Sequence, residues 1–103
     1  MTLSTHVLDA GRGEPAVGVP VRLERDHDGA WVAVASGRTD GDGRLRDWVP
    51  ATEWMAGTYR LVFATGGPFF PEVVVVFRVT EPDRHHHVPV LLSTYGYTTY
   101  RGS

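Results

Sequence analysis

The 103-residue sequence contains no cysteine, which excludes a disulfide framework, a thiolate nucleophile and any zinc site built from cysteine ligands. It also lacks a basic leader before Leu3, and no apolar run approaches the roughly 18 residues that a bilayer-spanning helix needs. A formal net charge of -2 provides no positive field to attract nucleic acid or an anionic membrane. We therefore expect a single cytoplasmic domain over residues 1–103, with neither nucleic acid nor membrane as a partner.

Sustained helical periodicity is missing as well, and about eight short segments of strand character recur between turns instead. The predicted strands are 1–10, 17–26, 31–35, 44–46, 58–64, 72–80, 85–92 and 95–100. Turn residues separate them at intervals of roughly 8 to 12 residues, which is typical of an all-β protein with an antiparallel β-sandwich fold.

Three further segments carry specific expectations. Residues 50–57 can form a single helical turn, but they are too few for a helix that is stable on its own. The 72–80 strand is apolar on both faces, so we expect it in the centre of a sheet or at an interface. Phe69 and Phe70 lie between prolines in the 65–71 loop and are expected to close the rim of the core.

The five histidines are the first candidates for chemistry, because hydrolysis without cysteine needs a serine nucleophile or an activated water. His27 lies in a turn and is interpreted as a solvated residue. His85, His86 and His87 are consecutive, but side chains alternate across a strand, so these three do not converge easily on one metal ion. His6 interrupts an apolar strand, where a hydrogen-bonded structural histidine is the alternative to a functional one. A metal site on His6 and His87 would need a third ligand that the sequence does not identify, and we predict none.

The remaining polar residues leave their roles open when each is considered alone. Arg44 and Arg46 share one face of a very short strand, where they could form a solvated pair beside a turn. The tyrosines near the end of the chain could lie on a strand surface or in a contact between subunits. Arg101 and Ser103 follow the last strand directly, which suggests that the terminus itself has a defined place.

Five segments, in order along nearly the whole chain, carry a family resemblance. They are LSTHVLD at 3–9, GRTD at 37–40 followed by Gly43 and Arg44, FPEV at 70–73, HVPVLLS at 87–93, and YTTYRGS at 97–103. Together they resemble the 5-hydroxyisourate hydrolases, which are transthyretin-related proteins. The closing Tyr-Arg-Gly-Ser distinguishes these hydrolases from the hormone carrier transthyretin, which is similar to them in fold.

The resemblance implies an eight-stranded transthyretin-like (prealbumin-like) sandwich that assembles as a homotetramer, a dimer of dimers, with active sites in the channel between dimers. It implies that the small-molecule substrate is 5-hydroxyisourate, a product of urate oxidation. A cyclic amide would be hydrolysed to 2-oxo-4-hydroxy-4-carboxy-5-ureidoimidazoline without a metal or other cofactor. Relatives usually carry a short helix where this chain has only residues 65–71, so we predict that the helix is missing.

The family's site residues correspond to five positions of this sequence. The resemblance implies that His6, Arg44, His87 and Ser103 are catalytic, and that His6, Arg44 and Tyr100 bind the substrate. Of the two histidines, His87 is slightly favoured as the general base. The main alternative is a transthyretin-like protein that binds a small ligand without catalysis. A structural sandwich in a cell-surface assembly is a third, and the 40–43 turn is too short for a calcium loop of the EF-hand type.

Overall fold

The computed structural model describes residues 2–103 and consists of two β-sheets with the hydrophobic core between them. The strands are β1 (Leu3–Asp9), β2 (Glu14–Pro15), β3 (Pro20–His27), β4 (Ala30–Arg38), β5 (Arg44–Leu45), β6 (Gly57–Phe63), β7 (Val73–Val79), β8 (His86–Leu92) and β9 (Tyr97–Thr99). A single 3₁₀ turn covers Ala51–Glu53. The five-stranded sheet has the order β2-β1-β8-β9, with β5 beside β1, and the four-stranded sheet has the order β4-β3-β6-β7.

Alternating side chains explain why each strand faces the core on one side. In β1, Leu3, Thr5 and Val7 are buried, and the side chains between them face the opposite side of the sheet. The Thr5 hydroxyl lies in the core and donates a hydrogen bond of 2.6 Å to the carbonyl oxygen of Val88, which removes the cost of burying it. Tyr59 is also fully buried, and its hydroxyl bonds both backbone groups of Met55.

The pairing of β1 with β8 sets the positions of the polar residues in the five-stranded sheet. This pair is parallel, whereas every other strand pair within residues 2–103 is antiparallel. Its register places Ser4 beside His87, and the antiparallel pairing of β1 with β5 places His6 beside Arg44. Paired residues on neighbouring strands point to the same face, so these four side chains share the face that is turned away from the core.

The predicted β-sandwich is confirmed, although the parallel pair makes one of its sheets mixed. The additional strand β2 raises the number of strands to nine, and β4 continues to Arg38, three residues beyond its predicted end. The single helical turn at 50–57 and the absence of a helix from the 65–71 loop are both confirmed within the described residues. Met1, which the first predicted strand and the predicted domain include, lies outside the described residues.

The structure changes two expectations about apolar residues. The central position for the 72–80 strand is wrong, because β7 forms an edge of its sheet and Val76 on its outer face is 58% exposed. The other position, at an interface, stays a prediction. Phe69 is 61% exposed and does not close the core, because its ring packs on Phe70 and Tyr95 at the surface, with centroid distances of 4.8 and 5.8 Å. In the part of the chain that the structure describes, no helix is long and apolar enough to cross a membrane.

Candidate active site

A polar cleft of about 230 Å³ opens beside β1, β5 and β8. Its lining residues are Ser4, Thr5, Arg44, Arg46, His85, His87 and Ser103. A larger cleft, of about 420 Å³, lies beside the 65–71 loop and has no histidine in its lining. The smaller cleft is therefore the stronger candidate for a site of chemistry, because it combines imidazoles with guanidinium groups.

Ser4 connects two of the imidazoles in this cleft. Its hydroxyl oxygen lies 2.7 Å from Nδ1 of His87 and 2.8 Å from Nε2 of His85. The third member of the histidine triplet, His86, is buried on the core side of β8, where its ring meets the edge of Trp54. Alternation along the strand thus separates the triplet as predicted. Within residues 2–103, no three His, Asp or Glu side chains are grouped so that they could hold a metal ion.

The environment of His87 favours the neutral imidazole. Burial lowers the pKa of His87 below its ordinary value of 6.5, and the positive charge of Arg44 lowers it further. His6 and His85 act in the same direction when they are charged, and a hydrogen bond to the backbone of Ser4 opposes the shift. His87 is therefore unprotonated at neutral pH, and one of its ring nitrogens has a free lone pair.

His6 lies beside the cleft and is held by the turn that precedes β5. Its Nε2 atom is 2.9 Å from the carbonyl oxygen of Asp42. Since a carbonyl oxygen only accepts hydrogen bonds, Nε2 of His6 donates, and Nδ1 is left with the lone pair of the neutral ring. The Asp40 carboxylate accepts hydrogen bonds from the backbone N–H groups of Arg44 and Asp42, which hold the pKa of Asp40 below its usual range.

Gly43 allows the same turn to lie directly against β1. Its φ angle of 74° is in the left-handed region, and a Cβ atom there would stand 2.4 Å from the carbonyl oxygen of Val7. The N–H of Val7 in turn donates to the carbonyl oxygen of Gly43 at 2.7 Å. Only glycine fits this approach, which carries Arg44 to its place opposite His6.

The C-terminal segment lies against His87. The N–H of Gly102 donates a hydrogen bond of 2.8 Å to the carbonyl oxygen of His87, in an isolated antiparallel bridge. Ser103 consequently lines the cleft together with Arg44. Tyr100 is 56% exposed and lines a neighbouring cleft of about 240 Å³, which His87 also borders but Arg44 and Ser103 do not.

The structure thus groups Arg44, His87 and Ser103 in one cleft, with His6 beside them and Tyr100 in the neighbouring cleft that His87 also borders. Sequence analysis did not identify Ser4 or His85 as members of the site. Alternation already placed each of them on the same strand face as a predicted site histidine, so this information was present. Arg46, which was expected to share a face with Arg44, lines the cleft as well.

Comparison with known proteins extends over nearly the whole chain. Residues 3–102 match the HIUase/Transthyretin family. The 5-hydroxyisourate hydrolase of Salmonella typhimurium is 45% identical, over 98% of this chain and 80% of the relative. That of Caulobacter vibrioides is 44% identical, over 98% of this chain and 97% of the relative. The crystal structure of sea bream transthyretin in complex with thyroxine matches with a TM-score of 0.92 and 32% identity, over 99% of this chain and 95% of that chain. The predicted fold class is confirmed, and the chain belongs to the HIUase/Transthyretin family.

Proposed function

We propose that this protein hydrolyses 5-hydroxyisourate to 2-oxo-4-hydroxy-4-carboxy-5-ureidoimidazoline in the degradation of urate. Relatives at 44 and 45% identity carry the name 5-hydroxyisourate hydrolase. The observation that carries the proposal is the meeting of Arg44, His87 and Ser103 in one cleft. A protein that only binds an apolar ligand would need an apolar lining, whereas arginine, histidine and serine predominate here.

Ring opening of a cyclic amide needs a base for the attacking water and a donor for the oxygen that becomes negative. His87 is neutral at neutral pH and serves as the base. Water adds to the ring carbonyl carbon and gives a proton to His87. The C–N bond then breaks, and the ring nitrogen takes up a proton. Arg44 remains charged throughout, and its planar fork matches a carbonyl oxygen or the oxyanion that forms from it.

His6 and Ser103 complete the polar surroundings of the reacting ring. Because His6 donates from Nε2 to the backbone, its Nδ1 lone pair is available to orient the water or to relay a proton. The Ser103 hydroxyl supplies a further polar contact within the cleft. Tyr100 offers an aromatic ring or a hydroxyl to the flat substrate from the neighbouring cleft.

The proposal includes a cytoplasmic homotetramer built as a dimer of dimers. Two strands that end their sheets, β7 and β9, present edges that a second copy can pair with. Val74 and Val76 on the outer face of β7 are 40% and 58% exposed. Such an assembly is expected to bring Tyr100 and the polar cleft into one enclosed channel. Sedimentation at micromolar concentration measures the number of copies.

Hydrolysis is tested with 5-hydroxyisourate freshly generated by urate oxidase, by following the decay of its ultraviolet absorbance. Purified protein is expected to accelerate the decay well above the rate in buffer, in proportion to its concentration. Heat-denatured protein is the control. A decay rate equal to that in buffer, together with saturable binding of an apolar ligand, would favour the carrier alternative instead.

Gly102→Ala is expected to impair hydrolysis because a Cβ atom at this position would lie 2.5 Å from Cδ2 of His87 and 3.2 Å from Cγ. Neither ring atom is the end of a flexible chain, so either the imidazole or the terminal segment must move. The matched control is Gly96→Ala in the preceding turn, where the nearest atom is 3.5 Å away and the contact is ordinary. Initial rates compare the two variants. Equal activity of both would show that the position of the terminal segment is not needed for turnover.

A further inference from the structure

The Ser4 hydroxyl lies between the imidazoles of His85 and His87. The proposed mechanism does not use this hydroxyl. Ser4 is 9% exposed, and its oxygen is within 2.8 Å of one nitrogen on each ring. Both rings and the hydroxyl lie on the same face of the five-stranded sheet, because Ser4 is paired with His87 in the register of β1 with β8. His85 precedes His87 by two positions, so it points to the same side.

The hydroxyl carries one proton, which restricts the protonation of both rings. Ser4 can donate to only one imidazole nitrogen, so at least one ring must donate to the Ser4 oxygen. Where one ring donates and the other accepts, two arrangements are possible. In the first arrangement, Nδ1–H of His87 donates to Ser4, and Ser4 donates to Nε2 of His85. The lone pair of His87 is then on Nε2. In the second arrangement all donors are reversed, and Nε2 of His87 carries the proton and cannot act as a base.

The proposed role of His87 as the base favours the first arrangement, because only there does the open ring nitrogen carry the lone pair. The Nε2 atom of His87 has no hydrogen-bond partner within residues 2–103, whereas Nδ1 is fully engaged. The free nitrogen is therefore the one that can meet a water molecule in the cleft.

We propose that Ser4 is a positioning residue that holds His87 as the Nδ1–H tautomer, with His85 accepting the Ser4 proton, so that the Nε2 lone pair is presented to water. The inference rests on the proposed function only where His87 is said to act as the base. When Nε2 takes the proton of the attacking water, the imidazolium keeps its Nδ1–H bond to Ser4, and no side chain has to reorient during the reaction.

Several charged or titratable groups border His87 and contribute to its behaviour with pH. They are His6 on β1, Arg44 on β5 and Arg46 just after it, His85 just before β8 and His86 on β8, Arg78 on β7, and Tyr100 and Arg101 in the terminal segment. The test must therefore leave all of these unchanged and remove only the hydroxyl.

Ser4→Val and Ser4→Thr form a matched pair of variants, because valine and threonine have nearly the same shape and only threonine keeps the hydroxyl. We expect kcat to fall about 10- to 100-fold in Ser4→Val, the size of effect of losing one hydrogen bond to a group that becomes charged. Ser4→Thr should keep most of the kcat of the unmodified protein. The acid limb of kcat/KM, which lies below pH 6.5 in the unmodified protein because the pKa of His87 is lowered, should shift in Ser4→Val and return in Ser4→Thr.

The tautomer is measured without turnover by long-range ¹H–¹⁵N NMR correlations of the His87 ring above pH 7. The inference predicts a protonated Nδ1 and an unprotonated Nε2 in the unmodified protein, and a mixture of tautomers in Ser4→Val. A protonated Nε2 in the unmodified protein would overturn it, as would a Ser4→Val spectrum and pH profile identical to those of Ser4→Thr. If Ser4→Val fails to fold, Ser4→Ala replaces it. The expected tautomer in a protein that does not hydrolyse 5-hydroxyisourate would support the inference and reject the proposed function.

Discussion

Replacing His87 with alanine should lower kcat by about 10²- to 10⁴-fold, the range that a positioned general base contributes. The expected loss is large because His87 is the imidazole in the cleft whose pKa is held down by burial and by Arg44, so it is neutral and able to take a proton at pH 7. The ring lies on the outer side of β8 and not in the hydrophobic core, so the fold should persist. The decay of 5-hydroxyisourate absorbance measures kcat, and far-ultraviolet circular dichroism verifies the fold.

His27→Ala is the matched control for this experiment. His27 lies at the β3–β4 turn, where its only ionic partner within the described residues is the exposed Asp28, and its removal should leave hydrolysis unchanged. In Arg44→Ala, kcat should fall about 10²- to 10³-fold if the Arg44 guanidinium stabilises the oxyanion. Near-normal hydrolysis by His87→Ala would show that His87 is not the general base and would leave His6 as the candidate for that role.

Deleting residues 100–103 should reduce hydrolysis at least as severely as losing a single donor, which costs about 10²- to 10³-fold. The deletion removes Ser103 from the cleft and Tyr100 from its neighbour, and it also removes the hydrogen bond from Gly102 that lies against His87. A tag added after Ser103 should have a similar effect, because the added chain would have to pass through or beside the cleft. Initial rates at saturating substrate measure both changes.

The same tag at the N-terminus is the control, since it adds the same mass and charge at the other end of the chain. Deleting Ser103 alone distinguishes its own contribution from that of the three residues before it. Equal rates for the two tagged proteins would show that the end of the chain does not take part in the site. The thermal midpoint of each protein separates a loss of activity from a loss of stability.

Local pattern was enough to predict which neighbouring side chains lie on opposite faces of a strand. Alternation alone separated His86 from its two neighbours, and the structure places His86 among core residues while His85 and His87 meet Ser4 on the other side. The strand character of most segments followed from the same alternation. The missing helix at 65–71 was predicted from the family resemblance, since relatives carry a short helix where this chain has only these residues.

Pairing between distant strands could not be predicted from local pattern. The register of β1 with β8 decides that Ser4, and not His6, is the neighbour of His87, and a shift by one residue would reverse every face. The apolar pattern of β7 is typical of a central or interface strand, yet within residues 2–103 no further strand lies beyond it in the sheet. The location of Tyr100 depends in the same way on where the last segment crosses β8.

The parallel pairing of the first strand with the eighth has a consequence for biosynthesis. The Thr5 hydroxyl bonds a carbonyl group 83 residues further along the chain, and at roughly 5–20 residues per second the ribosome needs about 4 to 17 s to make that partner. Until then β1 has an unsatisfied edge that other nascent chains can pair with. Chaperone demand during translation should therefore include this delayed partnership. A circular permutant in which a linker joins the segment after β9 to β1 brings β8 and β1 closer in sequence, and it should fold faster.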